Sequence, residues 1–436
     1  MLDQIKKEYF EKKIKTQHLE TVIFERIYNS DSGRIRDACN DAAIIRCELL
    51  ENVSGVSLDI TKNTRIDTCS LVGDSAILAG IESKIGGAIV PMGFVGPAKI
   101  SGQYVSADED VYIPLATNEA ALIAGVSRGI KAINLSGGLK TLVNYDGMTR
   151  APLIQASNIY EARSFIEFVD DNMEQYVKEL QKHVPDPFVK LQKIDTYQLG
   201  SKVFLRLIFK TGDAMGMNGV TKASADIVKY ILSSRPGWKL LTISSNLCTD
   251  KKNAHINVLN GRGKGVQTEI FVPEDVLTQV FKKGTNSRSV EKVVFNKCYL
   301  GSNLSGTISG YNVNAANAIG AFFLATGQDV AQVISSSSVY VQAEAVDGGL
   351  HFMVSLPCLE LATVGGGTLF GTAKEALNLI SCGEFGKTPE EDNRSVKRLA
   401  EICATVVTAL DLNTACAQAA GYEMADSHVK LARGEK

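Results

Sequence analysis

Asp250, Lys251 and Lys252 stand side by side within S-S-N-L-C-T-D-K-K-N-A-H-I-N, residues 244–257, which follows the strand-like run K-L-L-T-I. A wet loop after a strand carries charges as a matter of course. An ammonium flanked by a carboxylate also makes an anion or oxyanion site, the acid tuning and aiming the cation. Glu119, in P-L-A-T-N-E-A-A-L, falls at or just inside a helix start. It is either a first-turn acid favoured by the helix dipole or a buried carboxyl able to donate a proton. Asp329, in A-T-G-Q-D-V-A-Q, follows an apolar helical pattern. A carboxylate there is unfavourable and calls for a cationic partner. His428, in D-S-H-V-K, sits on a segment expected to be mobile, where a histidine is inert unless it arrives late as an acid.

G-D-A-M-G-M-N, residues 212–218, joins a strand to a helix. Either the helix start offers free N–H groups to a phosphate, or Asp213 caps the helix and a glycine makes a packing contact. The spacing is not G-x-G-x-x-G, so the Rossmann fingerprint is absent. T-V-G-G-G-T, residues 363–368, needs a tight turn or a backbone that something approaches closely. G-R-G-K, residues 261–264, reads as a hairpin loop more readily than as a phosphate site. Nine cysteines lack any CxxC pair and five histidines lack HExxH spacing, which points to reduced thiols and away from a zinc enzyme.

The elements that must hold these residues are legible in part. Residues 1–50 carry apolar positions at helical spacing, and the Gly- and Pro-rich stretch from 52 to 115 suggests turns and short strands. An acidic helical segment precedes K-V-F-L-R-L-I-F-K, whose Val203, Leu205, Leu207 and Phe209 share one strand face. A helix follows with Ala225, Ile227, Val228 and Ile231 at helical spacing, then strands in W-K-L-L-T-I-S-S and G-V-Q-T-E-I-F-V-P, then a closing helix. That β-α-β-β-α order resembles a ferredoxin-like split βαβ unit. The last third mixes Ala-rich helices with the strands V-Y-V-Q-A-E-A and H-F-M-V-S-L, and the tail K-L-A-R-G-E-K is polar. A 436-residue chain, 45% hydrophobic and 22% charged, is that of a soluble globular protein of two or more domains. A net charge of −2 gives no basic field for nucleic acid or an anionic membrane. The longest apolar runs are short of a bilayer span, and the charged start resembles no signal peptide, so a cytoplasmic enzyme without a membrane anchor is expected.

Taken in order, P-L-A-T-N-E-A-A-L, D-G-M-T-R-A-P, G-D-A-M-G-M-N, N-L-C-T-D-K-K-N-A-H-I-N-V-L-N-G-R-G-K, G-Y-N-V-N-A-A-N, A-T-G-Q-D-V-A-Q and T-V-G-G-G-T resemble the 3-hydroxy-3-methylglutaryl-CoA reductases from about residue 80 to 430. The chain looks like the catalytic portion of their archaeal and eukaryotic branch. The resemblance implies an α/β (α+β) fold with a helical region at 1–50, a large mixed substrate domain at 51–151 and 244–436, and an inserted ferredoxin-like dinucleotide-binding domain at 152–243. It implies a catalytic quartet of Glu119, Lys251, Asp329 and His428, and substrate contacts from Arg128, Arg150, Ser244, Asp250, Lys252, Lys297 and Asn317. Cofactor contacts fall on Asp186, Asp213, Met215, Gly216, Met217, Asn218, Gly365 and Gly366. The implied reaction is four-electron reduction of the acyl-CoA thioester to mevalonate and CoA with two NAD(P)H, in a homodimer or homotetramer with active sites between protomers.

Some positions depart from the family pattern. Its H-A-A-N reads Asn314-Ala315-Ala316-Asn317, the glycine after the glutamate is Ala120, S-G-N reads Ser244-Ser245-Asn246, and a string after Asp329 reads V-I-S-S-S-S. These keep open a diverged member that reduces a different acyl-CoA, or a non-catalytic acyl-CoA-binding protein. A Ser-Arg pair of NADPH-using members is replaced by Asp186-Pro187. An acid suits a free ribose 2′-hydroxyl and repels a 2′-phosphate, so NADH stands beside NADPH as the expected reductant.

Overall fold

The computed structural model describes all residues except 65–69, 73–75, 79–80, 283, 384–392 and 433–436. Contacts divide the chain into two units, Met1–Pro91 with Gly366–Glu375, and Met92–Gly365 with Ala376–Lys436. In the first, helices α1 (Leu2–Phe10), α2 (Leu19–Tyr28) and α3 (Ile35–Ser54) bury Ile5, Leu19, Ile23, Phe24, Ala42 and Ile45 in a core of their own. The helical spacing of these residues is what the sequence shows. Arg46 is buried there, its two terminal nitrogens bonding Glu20 at 2.6 Å and the Lys84 carbonyl at 3.0 Å. A short helix α4 (Asp59–Asn63), in a stretch read only as turns and strands, precedes the hairpin β1 (Ser70–Val72) and β2 (Ala76–Leu78).

The second unit begins with β3 (Met92–Ala98), β4 (Ile100–Ser101), β5 (Val111–Ala116) and α5 (Leu122–Leu135). It continues through β6 (Leu139–Arg150), β7 (Leu153–Gln155), α6 (Ile159–Asp171), α7 (Met173–Gln181), β8 (Lys190–Leu199), β9 (Lys202–Lys210), α8 (Met217–Ser233), β10 (Lys239–Thr242) and α9 (His255–Asn260). Next come β11 (Gly263–Pro273), α10 (Glu274–Val280), α11 (Ser287–Val294), a π-helical turn at Phe295–Gly301, α12 (Ser302–Leu304), α13 (Ala315–Ala325), α14 (Val333–Ser336), β12 (Tyr340–Val346) and β13 (Gly349–Leu359). Helix α15 (Gly371–Leu379), which straddles the boundary between the units, is followed by α16 (Arg394–Ala419) and α17 (Glu423–Ala432).

Nine strands form one sheet, ordered β10-β7-β9-β6-β11-β13-β12, with β8 on β9 and β4 on β6. Strand β6 is the shared piece: residues 140–147 pair with β11, and Met148–Arg150 pair with β9. On one side the antiparallel order β10-β7-β9-β8 is that of a split βαβ unit, with α6, α7 and α8 burying Phe165, Ile166, Ile227 and Val228 against Val203, Leu205, Leu207 and Phe209. Ala225 is only half-buried, and Ala223 and Ser224 fill that helix face. The sequence reading lacked β7 and β8 and set β11 in this unit, whereas β11 lies between β6 and β13. β7 has three residues, and a register shift between Leu191 and Lys193 puts the buried Leu191 and Ile194 of β8 three apart, which hides its period of two.

The other half wraps its core around α16, most of whose residues are buried. Among the described residues it is the one helix long and apolar enough to cross a membrane, and 94% of its apolar window is buried inside the fold. Runs of consecutive apolar residues did not disclose it, because Thr405, Thr408, Glu401 and Asp411 interrupt them. Both acids are buried and bonded. Glu401 accepts from the N–H groups of Gln103, Tyr104 and Val105 at 2.8–3.0 Å. Asp411 accepts from Val313 at 3.2 Å and Asn314 at 2.7 Å, closing the start of α13. Burial pushes the Asp411 carboxyl up to about 7.

Candidate active site

The loop between β10 and α9 carries three non-glycine residues in left-handed backbone, Asn246 (φ 66°), Thr249 (φ 54°) and Lys251 (φ 56°). Such residues cost roughly 1–3 kcal/mol each and persist only where the surroundings fix them. The fixings are visible: Thr249 Oγ1 lies 2.5 Å from Asn257 Oδ1, and Thr149 donates to the Cys248 carbonyl at 3.0 Å. Lys251 Nζ meets Asp329 Oδ2 at 2.8 Å, with both side chains partly exposed. Asp329 thereby has its cation, and it also caps the turn that follows by accepting from the Ala331 N–H at 3.1 Å. The bond to Asp329 raises the Lys251 pKa, so the ammonium persists through neutral pH.

Asp250 is half-buried. Its Oδ1 accepts from Gln332 Nε2 at 2.9 Å and Arg262 Nη2 at 3.0 Å. Burial works to raise its pKa, but the Gln332 bond and the Arg262 charge outweigh it and hold the carboxyl below its usual range. Lys252 is exposed and its Nζ donates to the Asp250 carbonyl at 3.0 Å, as a wet loop would have it. Arg150, at the end of β6, donates to Ser244 Oγ at 3.0 Å and to Thr221 Oγ1 at 2.6 and 2.9 Å.

A second group lines a cavity of about 430 Å³ that includes Glu119, Arg128, Lys297, Asn314, Asn317 and Asn413. Glu119 precedes α5 in a turn, ahead of Ala121 in left-handed backbone (φ 73°), and its N–H bonds Thr117 Oγ1 at 3.0 Å. It is exposed, so in this chain it is neither a first-turn acid nor a buried carboxyl, because the helix begins three residues later. Arg128 donates to Asn413 Oδ1 at 2.6 Å and pairs with Glu423, the 2% exposed first residue of α17. The backbone of His428 lies in α17 and not on a loose tail. Lys297 is exposed on the π-helical turn.

In the loop 212–218 the glycine contact is present, and the cap belongs elsewhere. Asp213 is a cap, but of another helix: its buried Oδ1 accepts from the Val396 N–H of α16 at 2.9 Å, and its carbonyl accepts from Thr363 N–H at 2.9 Å. Gly216 precedes α8 with φ 94°, and a Cβ there would lie 2.3 Å from Thr211 Cγ2. Met215 and Met217 pack against the α6–α8 core, and Asn218 is exposed. Asp186 accepts from the Phe188 N–H at 2.9 Å and shares a cavity of about 190 Å³ with Gly219 and Lys222 beside the first turn of α8. Gly365 and Gly366 have φ of 79° and 57°, and an added Cβ would meet nothing within 4 Å at either. They form a turn.

G-R-G-K is no hairpin loop. Arg262 is fully buried, bonded through Nη1 to the equally buried Glu360, and Lys264 Nζ pairs with Asp146 at 2.5 Å. Burial pushes the Glu360 carboxyl up to about 7 against the pull of Arg262. Arg262, Glu360, Gln332 and Glu423 escaped the sequence reading, since nothing in their local spacing marks them as buried. The divergent serines bond inward: Ser335 Oγ donates to Gln332 Oε1 at 3.2 Å, and Ser336 Oγ accepts from the Glu360 N–H at 3.3 Å.

A family model described as hydroxymethylglutaryl-coenzyme A reductase matches residues 42–433, reaching further toward the N-terminus than the motifs alone. The 3-hydroxy-3-methylglutaryl-coenzyme A reductase of Aeropyrum pernix is 43% identical over 91% of this chain and 90% of its own length. The Methanothermobacter thermautotrophicus enzyme of the same name is 39% identical over 91% and 94%. Reductase 3 of Solanum tuberosum is 36% identical over 91% of this chain and 67% of its own. In fold, the chain is similar to the class II reductase of Streptococcus pneumoniae bound to NADPH, with TM-score 0.56 and 16% identity, covering 86% of this chain and 96% of that one.

Proposed function

Since the chain belongs to the hydroxymethylglutaryl-coenzyme A reductase family, we propose that it reduces 3-hydroxy-3-methylglutaryl-CoA to mevalonate and CoA through the Lys251–Asp329 pair. The observation that carries the reading is that ammonium, fixed by a carboxylate at 2.8 Å on a strained loop and kept charged. A preorganised donor of this kind is worth roughly 3–4 kcal/mol to a developing oxyanion. Arg150, Ser244 and Lys252 are assigned to the substrate carboxylate and hydroxyl with Asp250 as an acceptor, and Lys297, Arg128 and Asn317 join them from the second cavity.

The residues at the head of α8 suit a dinucleotide. A 17-residue helix opens at a glycine in left-handed backbone, and Gly219 leaves room in the small cavity with Asp186 and Lys222. NADPH or NADH, when bound, would supply one hydride per molecule, two molecules serving the two reductive steps in turn. Asp213, Met215, Gly216, Met217 and Asn218 are assigned to hold it, and the family resemblance adds Gly365 and Gly366. The unit spanning 152–243 is assigned as the dinucleotide-binding domain.

Lys251 stabilises the oxyanion of the hemithioacetal, and after its collapse the charge on the aldehyde oxygen. His428 protonates the departing CoA thiolate, a task suited to a group that titrates near neutrality. Glu119 donates the proton to the final alkoxide. Its exposure in a single chain supports a site completed by a second protomer, in a homodimer or homotetramer.

Oxidation of NAD(P)H followed at 340 nm (~340 nm, the reduced nicotinamide band) with this thioester tests the assignment. Turnover with other acyl-CoA thioesters only would favour the diverged reading, for which Asn314 in the wall of the second cavity is the relevant observation. Ligand binding without turnover would overturn the enzymatic assignment.

A further inference from the structure

We infer that Arg262 is a positioning residue, set by Glu360, that ties the Lys251 loop to the head of the cofactor helix α8. The inference rests on the reading of these two elements as substrate and cofactor sites. The guanidinium is 0% exposed and spends its donors on four separate segments. Nε donates to Thr149 Oγ1 at 3.1 Å, Nη1 to Glu360, and Nη2 both to Asp250 Oδ1 at 3.0 Å and to Met217 Sδ at 3.1 Å. Thr149 in turn donates to the Cys248 carbonyl at 3.0 Å. One buried side chain therefore reaches both 248 and 250, on either side of a left-handed Thr249 and directly before a left-handed Lys251.

The geometry at Asp250 shows why this matters for the ammonium beside it. Arg262 and Gln332 both bond Oδ1, so that carboxylate is clamped from two sides. Gln332 is itself buried, in the turn capped by Asp329, the partner of Lys251. The residues around Lys251 are thus fixed through Asp250 on one side and Asp329 on the other. Met217, the first residue of α8, receives the same Nη2 as Asp250. A planar fork with five donors in fixed directions can serve all of these partners at once, and a lysine ammonium cannot. Glu360 is buried behind the guanidinium, and among the described residues its Oε2 has no hydrogen-bond partner. An acid with an unpaired oxygen contributes little bonding of its own here, and its evident use is to fix and neutralise Arg262.

The test compares Arg262→Lys, Glu360→Gln, Asp250→Asn and the Arg262→Lys/Asp250→Asn double variant, all in the full chain. Hydrogen exchange of the peptides over 244–254 and 213–221 is measured first, because it does not depend on turnover. Both Arg262→Lys and Glu360→Gln are expected to speed exchange in these two segments about tenfold or more, while α16 keeps its protection. Steady-state kinetics should show kcat down by about ten- to a hundredfold with KM for the thioester changed less than about threefold. In the Asp250→Asn background the Arg262→Lys loss should largely vanish, because the arginine acts through that carboxylate. Unchanged exchange in both loops, or fully additive kinetic losses, would overturn the inference. If Arg262→Lys does not fold, the near-isosteric Glu360→Gln carries the same two readouts. An inactive wild type would strike the assigned reaction, and the exchange result would still decide the role of Arg262.

Discussion

At the scale of single residues, the Lys251 ammonium and the Asp411 carboxyl both have their pKa raised by the fold, but for different reasons. Lys251 gains from its ion pair, and truncation to Ala should abolish both reductive steps while leaving the fold intact, since the side chain is part-exposed. A loss of at least about a hundredfold in kcat for thioester and for free aldehyde alike is expected, in line with removal of an oxyanion donor. An Ala variant that still reduces the aldehyde would remove Lys251 from the second step. Asp411 has no such gain, because burial holds its pKa up to about 7. Between the ordinary carboxylate range and that value the folded chain binds more protons than the unfolded one. Its contribution is therefore complete at acid pH and is lost as pH rises through about 7. Urea midpoints at about pH 5 and about pH 8 should differ less in Asp411→Asn than in the wild type. An identical difference would show that Asp411 does not titrate in this window.

Among the elements, α17 and the loop 212–218 are where sequence and structure part. His428→Gln should slow thioester reduction and spare reduction of free aldehyde, because only the first half of the reaction releases a thiolate. Equal losses in the two assays would count against that role. Asp213→Ala should destabilise the chain by about 1–2 kcal/mol through loss of a helix cap, seen as a lower urea midpoint in the absence of any ligand. Local spacing did locate the strand face of Val203, Leu205, Leu207 and Phe209 and the helix that follows it, because period and burial coincide there. It offered Asp213 as a cap of the helix directly after it, one of two readings, because no local pattern points to Val396 far along the chain. It placed Arg262 in a loop, because two flanking glycines look like a turn, and no local pattern reports a guanidinium bonded to residues at 149, 217, 250 and 360. For Asp329 the local pattern asked for a cation without naming one, and the family resemblance is what pointed to Lys251.

For the whole molecule, the cavity near α8 sets two charges of opposite sign, Asp186 and Lys222, against each other. Asp186→Ala should shift the ratio of kcat/KM toward NADPH by about ten- to a hundredfold, since an acid near a 2′-phosphate costs Coulomb energy that the free hydroxyl escapes. Initial rates with the two reductants check this, and an unaltered ratio would take Asp186 out of cofactor choice. The carboxylate at 213 has a further consequence. By closing the amino end of the longest helix in the core, it makes the bend before α8, where the reductant is proposed to bind, a structural rivet of that core. Reductant preference in this lineage therefore has little freedom to drift through that bend, where each change would be felt as lost solubility or expression. Natural or engineered switches should instead accumulate on the rim around 186 and 222, where the scaffold is indifferent to them.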